Sequence, residues 1–183
     1  IEPQFEDAYN FINGLARVKV NGKWGFINPK GEYEIAAQFE NANDFSGGVA
    51  LVMVEGLYGY VDAIGTMVFE AQFNDAYDFN EGMALVSLNN EWQYLNASQK
   101  LVALPENEEV SSFFSEGLAI VQAVSGDYGF VNHKGKYEIV PQYQEAQHFS
   151  EGLAAVRLNN AYGYINMKGK MVIRNKYQDA HLF

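Results

Sequence analysis

The chain is 183 residues long, contains no cysteine and carries a formal charge of −11 at pH 7. That length suits one domain with a sizeable core, and 48% hydrophobic with 15% aromatic residues excludes a disordered chain. The acidity argues against nucleic acid and anionic lipid as partners, both of which attract basic footprints, and no apolar run is long enough to span a bilayer.

Ile1–Asn10 reads as the tail of a unit whose front is missing, because Gln4-Phe5 with Ala8 matches Gln142-Tyr143 with Ala146. An aromatic then opens each of five units, at Phe11, Phe45, Phe79, Phe114 and Phe149, and the chain closes on Phe183. The steps are 34, 34, 35, 35 and 34 residues. A fixed period of this size marks a repeat architecture. The expected organisation is one repeat domain over 1–183, with units 11–44, 45–78, 79–113, 114–148 and 149–182 after a partial tail at 1–10. It reads as an excerpt from a longer array.

Within a unit, Ala16/Val18/Val20, Ala50/Val52/Val54 and Ala154/Val156/Leu158 alternate as a half-buried strand does. Asn21-Gly22 or Asn159-Asn160 follows, the chemistry of a type I′ hairpin turn. The next strand carries an aromatic pair two residues apart: Trp24/Phe26, Tyr58/Tyr60, Trp92/Tyr94, Tyr128/Phe130 and Tyr162/Tyr164. These ten rings are the expected repeat core. The glycine between them, as at Gly129 and Gly163, predicts a backbone or ring packed close against it. Asn28-Pro29-Lys30-Gly31 then has type I turn chemistry, followed by a short third strand. The Gln38/Phe39/Ala42/Phe45 spacing predicts a helical or 3₁₀ turn leading to the next unit.

The third unit, 79–113, is degenerate: Gln93 replaces the glycine between the aromatics, and Gln99 replaces the turn glycine. The fold expected is all-β: about five three-stranded meanders with short helical crossovers in an open, solenoid-like array. The alternative is a closed, β-propeller-like ring. Three readable strands favour the array, since propeller blades have four.

The segment Gly22-Lys23-Trp24-Gly25-Phe26-Ile27-Asn28-Pro29-Lys30-Gly31, the Ser-Glu-Gly-Leu-Ala stretches from Ser115 and Ser150, and Ile139–Tyr143 resemble the bacterial WG repeat. The resemblance covers nearly the whole chain and implies tandem β-rich units without catalytic residues to carry over.

The candidate chemistry is sparse. His133, His148 and His181 lack metal-ligand spacing, so no metal or cofactor is expected. Carboxylates recur once per unit, at Glu6/Asp7, Asp75, Glu145 and Asp179 and at Glu81, Glu116 and Glu151, a row where a glycosidase needs a facing pair. Structural hydrogen bonding is the expected role. The chain is read as not an enzyme.

The expected function is a binding or scaffold module for a protein or envelope partner. The alternative is a carbohydrate- or cell-wall-binding array using aromatic platforms, which burial of Tyr60, Tyr94 and Tyr164 would remove. The candidate partner surface is the strand face opposite the Ala-x-Val positions: Leu51, Met53, Leu85 and Ile120, rimmed by Arg17 and Arg157. Lack of cysteine leaves the compartment open, with an envelope or secreted setting expected ahead of a cytoplasmic one.

Overall fold

A computed structural model describes residues 4–105 and 108–180, and over these the protein is built of strands alone. The first sheet comprises β1 (Asp7–Ala8), β2 (Ala16–Val20), β3 (Lys23–Ile27) and β4 (Tyr33–Phe39). The second comprises β5 (Asn41–Ala42), β6 (Ala50–Val54), β7 (Leu57–Val61) and β8 (Met67–Phe73). The third comprises β9 (Asp75–Ala76), β10 (Met83–Leu88), β11 (Glu91–Asn96) and β12 (Leu101–Val102). The fourth comprises β13 (Glu109–Ser115), β14 (Leu118–Gln122), β15 (Tyr128–Asn132) and β16 (Tyr137–Tyr143), and the fifth β17 (Glu145–Ala146), β18 (Leu153–Leu158), β19 (Ala161–Asn166) and β20 (Met171–Tyr177). Each sheet is an antiparallel meander whose spatial order follows the chain, and none closes on itself. Two compact units, 1–92 and 93–183, divide the chain.

Two expectations are corrected. The sheets have four strands, and the tail is strand where a helical turn was expected. Gln38-Phe39 ends β4, one residue intervenes, and Asn41-Ala42 is already β5 of the next sheet. Phe39, Ala42 and Phe45 are all buried in one cluster. Their three-residue spacing therefore reports burial truthfully, but two bends in extended chain produce it instead of a helix. With four strands per sheet, the strand count no longer separates an open array from a propeller-like ring.

The intervening tail residue has a recurring task. The Gly22 N–H donates to Glu6 at 3.0 Å, Gly56 to Glu40 at 2.9 Å, Asn90 to Asn74 at 3.3 Å and Asn160 to Gln144 at 2.8 Å. Each of these acceptors caps the positive-φ hairpin turn of its own sheet. The opening stretch, such as Ser150–Leu153, is a second tight turn, with Glu151 and Gly152 both at positive φ and Ser150 bridging Leu153.

Successive sheets meet through the opening aromatic. Phe45 packs on Phe26 with ring centroids 4.9 Å apart, and Phe79 on Tyr60 at 4.9 Å. In the second unit Phe114 meets Tyr94 at 4.9 Å and Phe149 meets Phe130 at 4.8 Å. Ser46 Oγ donates to the Phe79 carbonyl and Ser115 Oγ to that of Phe149, both at 2.6 Å. Tyr60 and Tyr94 are fully buried because their hydroxyls donate to the Tyr77 and Ser111 carbonyls at 2.6 Å.

Gly25, Gly59, Gly129 and Gly163 lie beneath the neighbouring strand. A Cβ on Gly129 would stand 2.5 Å from the Ile139 carbonyl oxygen and 2.6 Å from the Pro141 nitrogen. The register explains this: Tyr128 faces Tyr143 while Phe130 faces Ile139, so β16 carries two extra residues over the glycine. The other three glycines lie under the same bulge. Where Gln93 stands instead, β12 has only two residues and pairs Tyr94 with Val102 and Leu95 with Leu101 without a shift.

Candidate functional site

Register gathers three side chains at one spot on each sheet: one from the first strand, one from the second and the first aromatic of the third. In the first sheet Asp7 lies across from Lys19 and Lys19 across from Trp24. The Lys19 ammonium is 5.5 Å from the Trp24 ring centroid. In the fifth sheet Glu145 lies across from Arg157 and Arg157 across from Tyr162. Arg157 Nη1 is 2.6 Å from Glu145 Oε1 and its guanidinium 5.8 Å from the Tyr162 ring. The Tyr162 hydroxyl donates to the other Glu145 oxygen. That bond and the Arg157 contact hold the Glu145 carboxyl below the usual range, and the carboxylate pushes the Tyr162 hydroxyl up.

The same spot holds Asn41, Met53 and Tyr58 in the second sheet, and Glu109, Gln122 and Tyr128 in the fourth. In the third, Asp75 lies across from Ser87. The two-residue Asn89-Asn90 turn, with both residues at positive φ, sets Ser87 opposite Trp92. Acid and aromatic are kept, and a buried serine occupies the cation's place.

A second contact chain crosses the first unit. The Arg17 guanidinium lies 3.6 Å from the Tyr9 ring centroid and 5.4 Å from that of Trp24. Its Nε is 3.0 Å from Asp44 Oδ1, and its Nη1 donates to the Ala42 carbonyl at 2.7 Å. Asn43 Nδ2 lies 3.1 Å from each carboxylate oxygen of Asp78. Desolvation raises the Asp78 carboxyl above its ordinary value against the Asn43 hydrogen bond.

The residues expected to form an exposed apolar stripe are placed differently. Leu51 and Leu85 are 4% and 6% exposed, so they are core. Ile120 is part-buried against the second unit's core, and Met53 is half-buried. Arg17 and Arg157 do not form a free basic rim, since each is paired to a carboxylate and laid against an aromatic. Alternation within one strand cannot reveal which of its faces neighbouring segments cover.

The aromatic pairs also divide. Phe26, Tyr60, Tyr94 and Phe130 are buried, as is Trp24, while Tyr58, Tyr128, Tyr162 and Tyr164 are half-buried. Trp92 is exposed at 41% and is not core. Burial of Tyr60 and Tyr94 removes those rings as sugar platforms. The tail tyrosines were missed: Tyr9 packs on Trp24 and Tyr77 on Trp92, each with centroids 5.8 Å apart. The available signal was co-variation, since the tails carry tyrosine where the strand carries tryptophan and Asn43 where it carries Tyr58.

The sequence profile of the WG-containing repeat matches residues 1–24, 24–58, 58–92, 128–160 and 162–183. The chain belongs to the WG-containing repeat family. Four of the five WG matches begin on the first aromatic of the third strand, and the span between 92 and 128, which holds Gln93 and Gln99, is unmatched. No curated protein sequence matches the chain. Among solved structures, a eukaryotic initiation factor is similar over 92% of this chain and 56% of its own, with TM-score 0.52 and 14% identity. BamB from Moraxella catarrhalis is similar over 91% and 62%, with TM-score 0.44 and 11% identity. Virginiamycin B lyase from Staphylococcus aureus is similar over 92% and 69%, with TM-score 0.40 and 10% identity. The likeness to the initiation factor is one of fold alone. The WG chain spans roughly three fifths of the length of the first two.

In the second unit His148 stands edge-on to Phe113 at 5.2 Å, its Nδ1 buried without a hydrogen-bond partner. Burial lowers its pKa below the ordinary histidine value of 6.5. The neutral ring is favoured in the fold, so the contribution is present above the unfolded value and is lost as pH falls through the folded one. His148→Gln is expected to flatten the loss of thermal midpoint below about pH 6.5. An acid limb of equal slope in that variant would assign it to other groups. His181 lies outside the described residues.

Proposed function

We propose that the chain is a non-catalytic WG-repeat module that binds a protein partner through the first unit's edge at Asp75, Tyr77 and Trp92. One observation carries this reading. The polar residues recurring in the tails serve as caps of hairpin turns, as caps of the next backbone N–H or as internal ion pairs, whereas the edge at Trp92 also presents two exposed rings with Asp75. Aromatic residues are enriched at interaction surfaces, within a polar rim.

Exposure of the paired rings of Tyr77 and Trp92 also favours a second reading, a glycan- or cell-wall-binding array. A photoreactive residue at Glu91, next to Trp92, tests both. Irradiation in extract of the source organism is expected to give a discrete protein adduct. The same residue at Glu34 of the first sheet is expected to give none. Retention on purified cell wall with no protein adduct at position 91 would replace the first reading by the second.

A further inference from the structure

The first and third sheets carry the same pair of rings in different company. Tyr9 and Trp24 are tilted by 52° and Tyr77 and Trp92 by 43°, both at 5.8 Å. One backbone hydrogen bond sets each tyrosine: the Tyr9 N–H donates to the Arg17 carbonyl at 3.1 Å, and the Tyr77 N–H to the Leu85 carbonyl at 2.9 Å. In the first sheet cations from the chain itself cover the rings, with Arg17 3.6 Å from Tyr9 and Lys19 5.5 Å from Trp24. In the third sheet those two positions are Leu85 and Ser87. Trp24 is 8% exposed and Trp92 41%, whereas Tyr9 and Tyr77 are each 46% exposed.

The acid is kept as well. Asp75 lies across from Ser87 as Asp7 does from Lys19 and Glu145 from Arg157. Two sheets therefore show an acid, a cation and an aromatic in one register, once with lysine and once with arginine. The third repeats acid and aromatic around a neutral serine. A cation over an aromatic face is drawn by the ring's quadrupole, and a carboxylate within reach completes its pairing.

We propose that Asp75, Tyr77 and Trp92 form a docking site for a lysine or arginine side chain of a basic partner segment, seated where Lys19 and Arg157 sit in their own sheets. This rests on the interaction-module reading and supplies the partner's chemistry. The chain's charge of −11 would draw such a segment by long-range attraction.

The test is calorimetric titration with a short capped arginine–glycine peptide at physiological salt. Saturable binding is expected, weakened about tenfold by Trp92→Ala and by Asp75→Asn, a loss worth about 1.4 kcal/mol. Asp75→Asn keeps the local cap, because Asn41 makes the same hydrogen bond to Ala42 at 2.9 Å that Asp75 makes to Ala76. Ser87→Lys, which restores the internal cation, is expected to abolish peptide binding. No saturable heat, unchanged affinity in Asp75→Asn and Trp92→Ala, equal binding of a citrulline peptide, or equal binding of tetramethylammonium would each overturn the proposal. Equal weakening by Glu34→Gln would overturn it too, as adsorption to net charge. An adduct at position 91 that survives saturating peptide would overturn the site while leaving the interaction module standing. Peptide binding with the expected variant pattern but no adduct would sink the module reading and support the site.

Discussion

Leu85→Glu is expected to unfold the third sheet's contribution to the first unit, at a cost of about 3–5 kcal/mol. Leu85 is 6% exposed, on a β10 whose flanking Ala84 and Val86 are fully buried. A glutamate there would bring a carboxylate out of water into a buried position. Arg17, at the equivalent position of the first sheet, shows what a charge at this register requires: an aspartate at 3.0 Å, a carbonyl at 2.7 Å and a ring beneath it. Chemical denaturation followed by circular dichroism measures the loss. A variant with an unshifted midpoint would show that the side chain escapes to solvent and that the second-strand face is not core.

Gly129→Ala is expected to cost about 3 kcal/mol in the second unit, at the upper end of overpacking penalties. The added Cβ would meet three backbone atoms of Ile139–Pro141 within 2.8 Å, and backbone in a hydrogen-bonded ladder yields less readily than a side chain. The path of relief is to lose the bulge. Beside Gln93, β12 keeps only two unshifted pairs, and the same shortening of β16 is expected in the variant. Slowed amide exchange is a mark of the intact ladder, so faster exchange at Phe130 and Val131 would report the change alongside the midpoint. Unchanged stability and exchange would mean that the bulge can lift without cost.

Much of this architecture was legible in one sequence. The period, the hairpin turns, the Ala-x-Val core face and the close approach over the central glycine each have a local chemical signature, because positive φ, alternation and a missing Cβ constrain residue choice directly. Membership of the WG-containing repeat family also follows from residues alone. The fourth strand was not legible, since β1, β5, β9 and β17 are two residues long, too short for alternation to show. Their helix-like spacing records burial from two bends in extended chain.

The candidate site belonged to tertiary structure for a different reason. Asp75, Tyr77, Ser87 and Trp92 sit on three segments, and only register makes them neighbours. The sequence determined by itself the repeat, its turns and its buried period, all set by interactions within a few residues. Which faces stay open was decided only when the sheet formed. Leu51 and Leu85 became core and Trp92 did not, because exposure depends on what other segments cover, and a strand's own alternation carries no record of that.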